Sequence, residues 1–149
     1  MPGEDDIQPL MDPDEYARLV GEASDQDLQA GLDQNGELII DRVFQAMPTR
    51  LRSANTAGVS IVAHWRIRDV GQSGEVRWQV SISDQQCTVE RDGQLPADVT
   101  FAVRGIDFIK LITGNAHGPR MFLLGRLKIR GDLLKAGRFQ SYFQAPRAG

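Results

Sequence analysis

Apolar residues in the first third of the chain recur at helical spacing. Asp12-Pro13-Asp14-Glu15 has the form of a helix start: Asp12 as N-cap, Pro13 at the first helical position and Glu15 completing a capping box. Tyr16, Leu19 and Val20 then share one face, and Ser24 with Asp27 offers a second start whose stripe continues through Leu28 and Leu32. Beyond Asn35-Gly36, a further helix carries Ile39, Ile40, Val43, Phe44 and Met47 until Pro48 ends the pattern.

From Val59 the period changes to two. Val59, Ile61, Ala63, Trp65 and Ile67 point one way, and Ser60, His64, Arg66 and Arg68 the other. Val76, Trp78, Val80 and Ile82 repeat the alternation, Cys87 and Val89 mark a short third strand, and Val99, Phe101 and Val103 a fourth. Leu127 and Ile129 predict a fifth between Arg126, Lys128 and Arg130. Between the last two strands, Ile106 to Ile112 and Pro119 to Leu124 read as two short helices. Asp132 caps a final helix expected to reach about Phe143, with Leu133, Ala136, Phe139 and Phe143 on its apolar arc and Gly137 interrupting it. This order predicts an α+β fold: a five-stranded sheet with one face solvated and all helices packed on the other. Residues 1–11 lack periodicity and read as a flexible arm, leaving 12–149 as a single domain.

Composition narrows the class. A chain of 149 residues, 41% hydrophobic and 25% charged, has the balance of an ordinary globular protein. No apolar run approaches the roughly 18 residues of a membrane span. The acidic start MPGEDDIQPL lacks the apolar stretch of a secretory signal, and Cys87 alone cannot form an intrachain disulfide, so a reducing, cytoplasmic setting is expected. The net charge of −3 is unevenly spread: −11 over residues 1–41, +1 over 42–103 and +7 over 104–149. Either the acidic and basic ends lie close together, or the basic block, notably Arg126, Lys128 and Arg130, makes peripheral contact with anionic membranes. No nucleic-acid motif accompanies it.

Catalytic patterns are missing: no G-x-S-x-G, P-loop, H-E-x-x-H or C-x-x-C occurs. His64 falls on the wet phase of its strand, His117 has no ligand partner near it, and Cys87 shares the buried phase with Val89. Arg130-Gly131-Asp132 sits where Asp132 serves as an N-cap. The buried phase of the strands from Val59 to Val103 holds no carboxylate to act as a general base. The chain is therefore expected not to be an enzyme and to need no cofactor or metal. What remains is an apolar inventory: Phe101, Phe108, Ile109, Ile112, Met121, Phe122, Leu127, Phe139, Tyr142 and Phe143. These residues suit either plain core packing or the lining of a cavity.

The stretch from Asp98 to Asp132 resembles the sterol carrier protein 2 family of lipid-transfer domains. Three features carry the likeness: the D-V-T-F strand, the D-F-x-x-L-x-x-G-N helix from Asp107, and F-x-x-G-R-L-K-I-x-G-D from Phe122 to Asp132. With the Trp78 strand and the helix ending at Met47, the resemblance covers about residues 36–145. It implies an apolar tunnel closed by the C-terminal helix and a non-catalytic ligand such as a fatty acid, acyl-CoA, sterol or phospholipid. Trp78 and Leu133 then join the apolar inventory as the expected tunnel lining. A structural or dimerising accessory module is the alternative. The peroxisomal tripeptide common in eukaryotic members is absent from the end Arg147-Ala148-Gly149.

Overall fold

The alternating segments pair into a five-stranded sheet of order β3-β2-β1-β4-β5 in a computed structural model that describes residues 12–144. The arm expected over residues 1–11 lies outside the described residues. The strands are β1 (Ile61–Arg68), β2 (Val76–Ser83), β3 (Gln86–Arg91), β4 (Val99–Arg104) and β5 (Leu127–Gly131). β1 pairs parallel with β4, and every other pairing is antiparallel. The β2–β3 hairpin turns through Asp84 and Gln85, both at positive φ (52° and 59°), the combination that matches the twist of the flanking strands.

In β1, β2 and β4 the apolar phase is buried as expected, as is Leu127 of β5, whereas Cys87 and Val89 of β3 and Ile129 of β5 are only half-buried. Trp65 and Trp78 stand opposite each other in the β1–β2 register, so both indoles lie on the same face. Val59 precedes β1 and is only half-buried.

Among the described residues five α-helices accompany the sheet: α1 (Pro13–Glu22), α2 (Asp25–Ala46), α3 (Gly105–Ile112), α4 (Gly118–Leu123) and α5 (Leu133–Phe139). The expected caps form, with Asp12, Ser24 and Asp132 accepting from the backbone N–H of Glu15, Asp27 and Lys135. The break expected at Asn35-Gly36 is a kink within α2, where Asn35 leaves helical geometry (φ −139°, ψ 26°). Gly36 lets the kink sit against the connection from β1 to β2, since a Cβ there would lie 2.8 Å from Val70 Cγ1.

The C-terminal helix is shorter than the sequence suggests. α5 ends at Phe139, a 3-10 turn covers Gln140–Tyr142, and Phe143 forms a bridge with Leu51. Backbone pairing overrides helical periodicity there: Arg52 N–H donates to Tyr142 O (2.7 Å) and Gln144 N–H to Arg50 O (2.7 Å). α5 buries Ala136 and Phe139, whereas Leu133, expected on the buried arc, is 59% exposed.

The core is aromatic. Phe44 of α2 stacks on Trp78 and on Phe108 of α3, each at 5.2 Å, while Trp65 stacks on Phe101 at 4.3 Å. A polar clamp fixes α2 over the sheet: Asp41 accepts from Trp78 Nε1 and from Arg91 Nη1, which also donates to Glu37, all at 2.9 Å.

Asp98 locks the register of β4. Its carboxylate accepts from Val62 N–H, its own N–H donates to Val62 O, and its carbonyl accepts from Asp132 N–H. Gly131 approaches this carbonyl so closely, at φ +101°, that a Cβ would lie 2.3 Å from the oxygen. Gly131→Ala should therefore destabilise by about 1–3 kcal/mol or more. Gly137 has open space around it in α5, so Gly137→Ala should stabilise by up to about 1 kcal/mol. Urea unfolding of the two variants checks both signs.

Candidate functional site

A groove of volume ≈ 260 Å3 runs where α1 and α2 meet the C-terminal segment. Trp65 lies at its base, reaching up from the middle of β1. Val43, Ala46 and Met47 form one wall from the last turn of α2 and the turn after it, beside the Phe44 ring that packs on Trp78. Phe139 and Phe143 form the facing wall, with their rings 5.3 Å apart. Leu111 and Ile112 close one side at the end of α3, and Pro13 and Tyr16 of α1 close another.

The polar side chains of the lining are Arg42, Arg50, Gln140 and Gln144, with Thr113 buried against the end of α3. Arg50 is committed, its Nε and Nη2 donating to Gln144 O at 3.1 and 2.9 Å. Arg42 is exposed, and no hydrogen bond or ion pair holds its guanidinium among the described residues. Burial pushes the Tyr16 phenol up to about 12, so it stays neutral at any physiological pH. The indole Nε1 of Trp65 is buried without a hydrogen-bond partner. The site is thus an apolar trough with cationic groups at its border and no acid–base pair. Among the described residues, no cluster of His, Cys, Asp or Glu could hold a metal ion.

The residues named from the sequence fall into three groups. Ile112, Phe139 and Phe143 line the groove. Trp78, Phe101, Phe108, Ile109, Met121, Leu127 and Tyr142 are buried in the core around it. Phe122 and Leu133 lie on the outside. The lining that sequence reasoning missed comes mostly from the N-terminal helices, namely Tyr16, Arg42, Val43 and Met47, together with Trp65. The signal was present: Val43 and Met47 flank Phe44 on the α2 stripe and make it wider than one contact with the sheet requires. A second crevice of ≈ 220 Å3 lies between α1, α2 and Ile109, with Tyr16 bordering both spaces.

The profile of the SCP-2 sterol transfer family matches residues 40–144. An oleate-induced peroxisomal protein of Candida maltosa is 30% identical over 71 residues, which cover 47% of this chain and 56% of that protein. The chain therefore spans only about half the length of that relative. Among solved structures, palmitated SCP2L2 of Aedes aegypti superposes with a TM-score of 0.54 at 19% identity, covering 72% of this chain and 96% of that one. The sec-alkylsulfatase Pisa1 of Pseudomonas sp. reaches 0.63 at 19% identity, covering 73% of this chain but 17% of the enzyme. At these identities the structures share the fold. No helix among the described residues is long and apolar enough to cross a membrane.

Cys87, the chain's only cysteine, stands apart from the groove on β3. Burial pushes its thiol up to about 11, so almost no thiolate exists near neutral pH. Alkylation of Cys87 by iodoacetamide at pH 8 should run at least ~10-fold slower than that of an unstructured peptide thiol. Mass spectrometry of timed samples checks this; labelling at the peptide rate would contradict it.

Proposed function

The chain belongs to the SCP-2 sterol transfer family, and from that premise we propose that it binds one apolar lipid chain in the groove over Trp65 without transforming it. The apolar trough bordered by Arg42 and Arg50 carries this reading. An acyl tail lies along Trp65, Val43, Met47 and the Phe139–Phe143 wall. An anionic head group reaches the free guanidinium of Arg42, with Gln140 and Gln144 as further hydrogen-bonding groups. A fatty acid is the simplest ligand with both parts, and an acyl-CoA or phospholipid shares them. The volume of ≈ 260 Å3 sits just under the ~300–1,000 Å3 common for small-molecule sites, which favours a single chain over a bulkier ring system. A reducing, cytoplasmic setting suits the lone thiol.

Each methylene laid into the trough contributes about 0.8 kcal/mol, or about fourfold in affinity. Affinity for saturated fatty acids should rise at that slope with chain length and level off once the groove is full. Isothermal titration across a chain-length series measures both slope and plateau. Native mass spectrometry with organic extraction of the purified protein gives an independent readout. No lipid by extraction, and no binding at any chain length, would favour the accessory-module reading.

Val43→Trp fills the trough from its α2 wall and should weaken binding at least ~10-fold with the fold retained. Arg42→Glu should weaken fatty acids more than the corresponding alcohols. Alanine at His64, His117 or Cys87, none of which lines the groove, should leave affinity within about twofold. Fluorescence displacement of a bound fatty-acid probe checks all five variants.

A further inference from the structure

Away from the groove, α4 ends in a feature that ligand binding leaves unexplained. The helix buries only Gly118 and Met121, and the next three residues, Phe122, Leu123 and Leu124, are 42%, 83% and 61% exposed. Three consecutive large apolar side chains facing water are costly to solubility unless a partner covers them. The projection is held in shape: Leu124 N–H donates to Arg120 O, Gly125 N–H to Phe122 O and Arg126 N–H to Met121 O, at 2.9–3.1 Å. Gly125 at φ +75° makes the turn that leads into β5. The knuckle is therefore preformed.

Its surroundings are basic. Arg120 precedes it, and Arg126 and Lys128 follow it, all exposed. No hydrogen bond or ion pair engages any of these three side chains among the described residues. From Phe108 to Gly131 the chain contains no acid. The carboxylate that feels Arg126, Asp25, is already ion-paired with Lys110. An apolar tip inside a collar of unneutralised cations is complementary to one kind of surface: hydrocarbon lying beneath a layer of negative charge.

We infer that Phe122, Leu123 and Leu124 insert into an anionic phospholipid membrane, with Arg120, Arg126 and Lys128 resting on its head groups. This surface lies at the β5 edge of the sheet and does not depend on what the groove holds. The apolar tip supplies attachment and the collar supplies selectivity for negative surfaces. Binding should therefore fall both when the tip becomes polar and when salt screens the collar.

The test uses the full chain with vesicles of pure phosphatidylcholine and of phosphatidylcholine containing phosphatidylglycerol. Sedimentation should show binding to the second alone, weakened at high salt. Leu123→Asp/Leu124→Asp should lose binding at least tenfold while retaining its circular dichroism and its affinity for a fluorescent fatty acid. Arg126→Glu should cost at least about fivefold. An environment-sensitive dye on Leu123→Cys should shift to the blue on the anionic vesicles, while the same dye on Gln86→Cys, at the opposite edge strand, should not. Cys87 is half-buried and its thiol is pushed up to about 11, which keeps the labelling background low. Absence of binding at low salt, equal binding by the aspartate variant, or equal shifts at both dye positions would overturn the inference. So would a self-association, abolished by the aspartate variant, in a protein that ignores vesicles.

Discussion

Trp65 is the contact on which the rest of the structure turns. Its ring stacks on Phe101 of the neighbouring strand and meets Phe44, Phe108 and Phe139 at 6.5, 5.4 and 6.0 Å. Those four rings belong to α2, β4, α3 and α5, so one side chain in the middle of β1 touches every layer of the buried face. Aromatic contacts of this kind add about 0.5–1.5 kcal/mol each beyond the area they bury. The same ring is the base of the groove. The aromatic core and the groove proposed for ligand thus share one indole. The trough persists because the large rings beneath it hold α2 and α5 apart.

The C-terminal wall is tied down beyond its helix. The bridge between Leu51 and Phe143, the paired backbone bonds of Arg50 and Arg52, the two bonds from Arg50 to Gln144 O and the Asn55 bond to Ser141 O all hold residues 141–144 against residues 50–55. At about 1 kcal/mol net per bond, this latch resists peeling more strongly than a two-turn helix containing Gly137 would suggest. Any lid motion of α5 must therefore start from its Asp132 end or break the latch first. A wall pinned at its far end and weak in its middle favours bending over detachment, the motion by which the proposed ligand would enter without exposing the core.

Periodicity made the sheet legible because the alternation in β1, β2 and β4 is nearly unbroken and only one face is apolar. Caps at Asp12, Ser24 and Asp132 were legible because their side chains act within three residues of themselves. What could not be read was set by distant partners. The end of α5 is dictated by Leu51, some ninety positions earlier, and no local signal announces such a bridge. The Asp41 carboxylate that holds Trp78 and Arg91 appears in the sequence as one more acid in an acidic helix. The same blindness placed the candidate lining in the last third of the chain. Buried apolar residues look alike in sequence, whether they fill a core or border a trough, and only the packing separates Phe101 from Phe143.

The residues that carry the family resemblance are builders of the scaffold. Asp98 and Gly131 fix the approach of β1, β4 and β5. Asp107 is wholly buried and accepts from Arg104. Asn115 donates to Ala17 O and Thr113 Oγ1, fastening α1 to the end of α3. None of these four lines the groove, although Leu111 of the same signature does; its walls come from α1, α2, Trp65 of β1, the end of α3 at Leu111 and Ile112, and residues 47–50 and 139–144. Such a division has a physical basis. Register locks need a particular side chain at a particular atom, whereas a trough for an acyl chain needs only apolar surface of suitable width, which many residue sets provide. On the proposed reading the scaffold can keep its fold while the ligand changes, and the groove's choice of ligand is written in Val43, Met47, Arg42 and Phe143 more than in the signature that names the family.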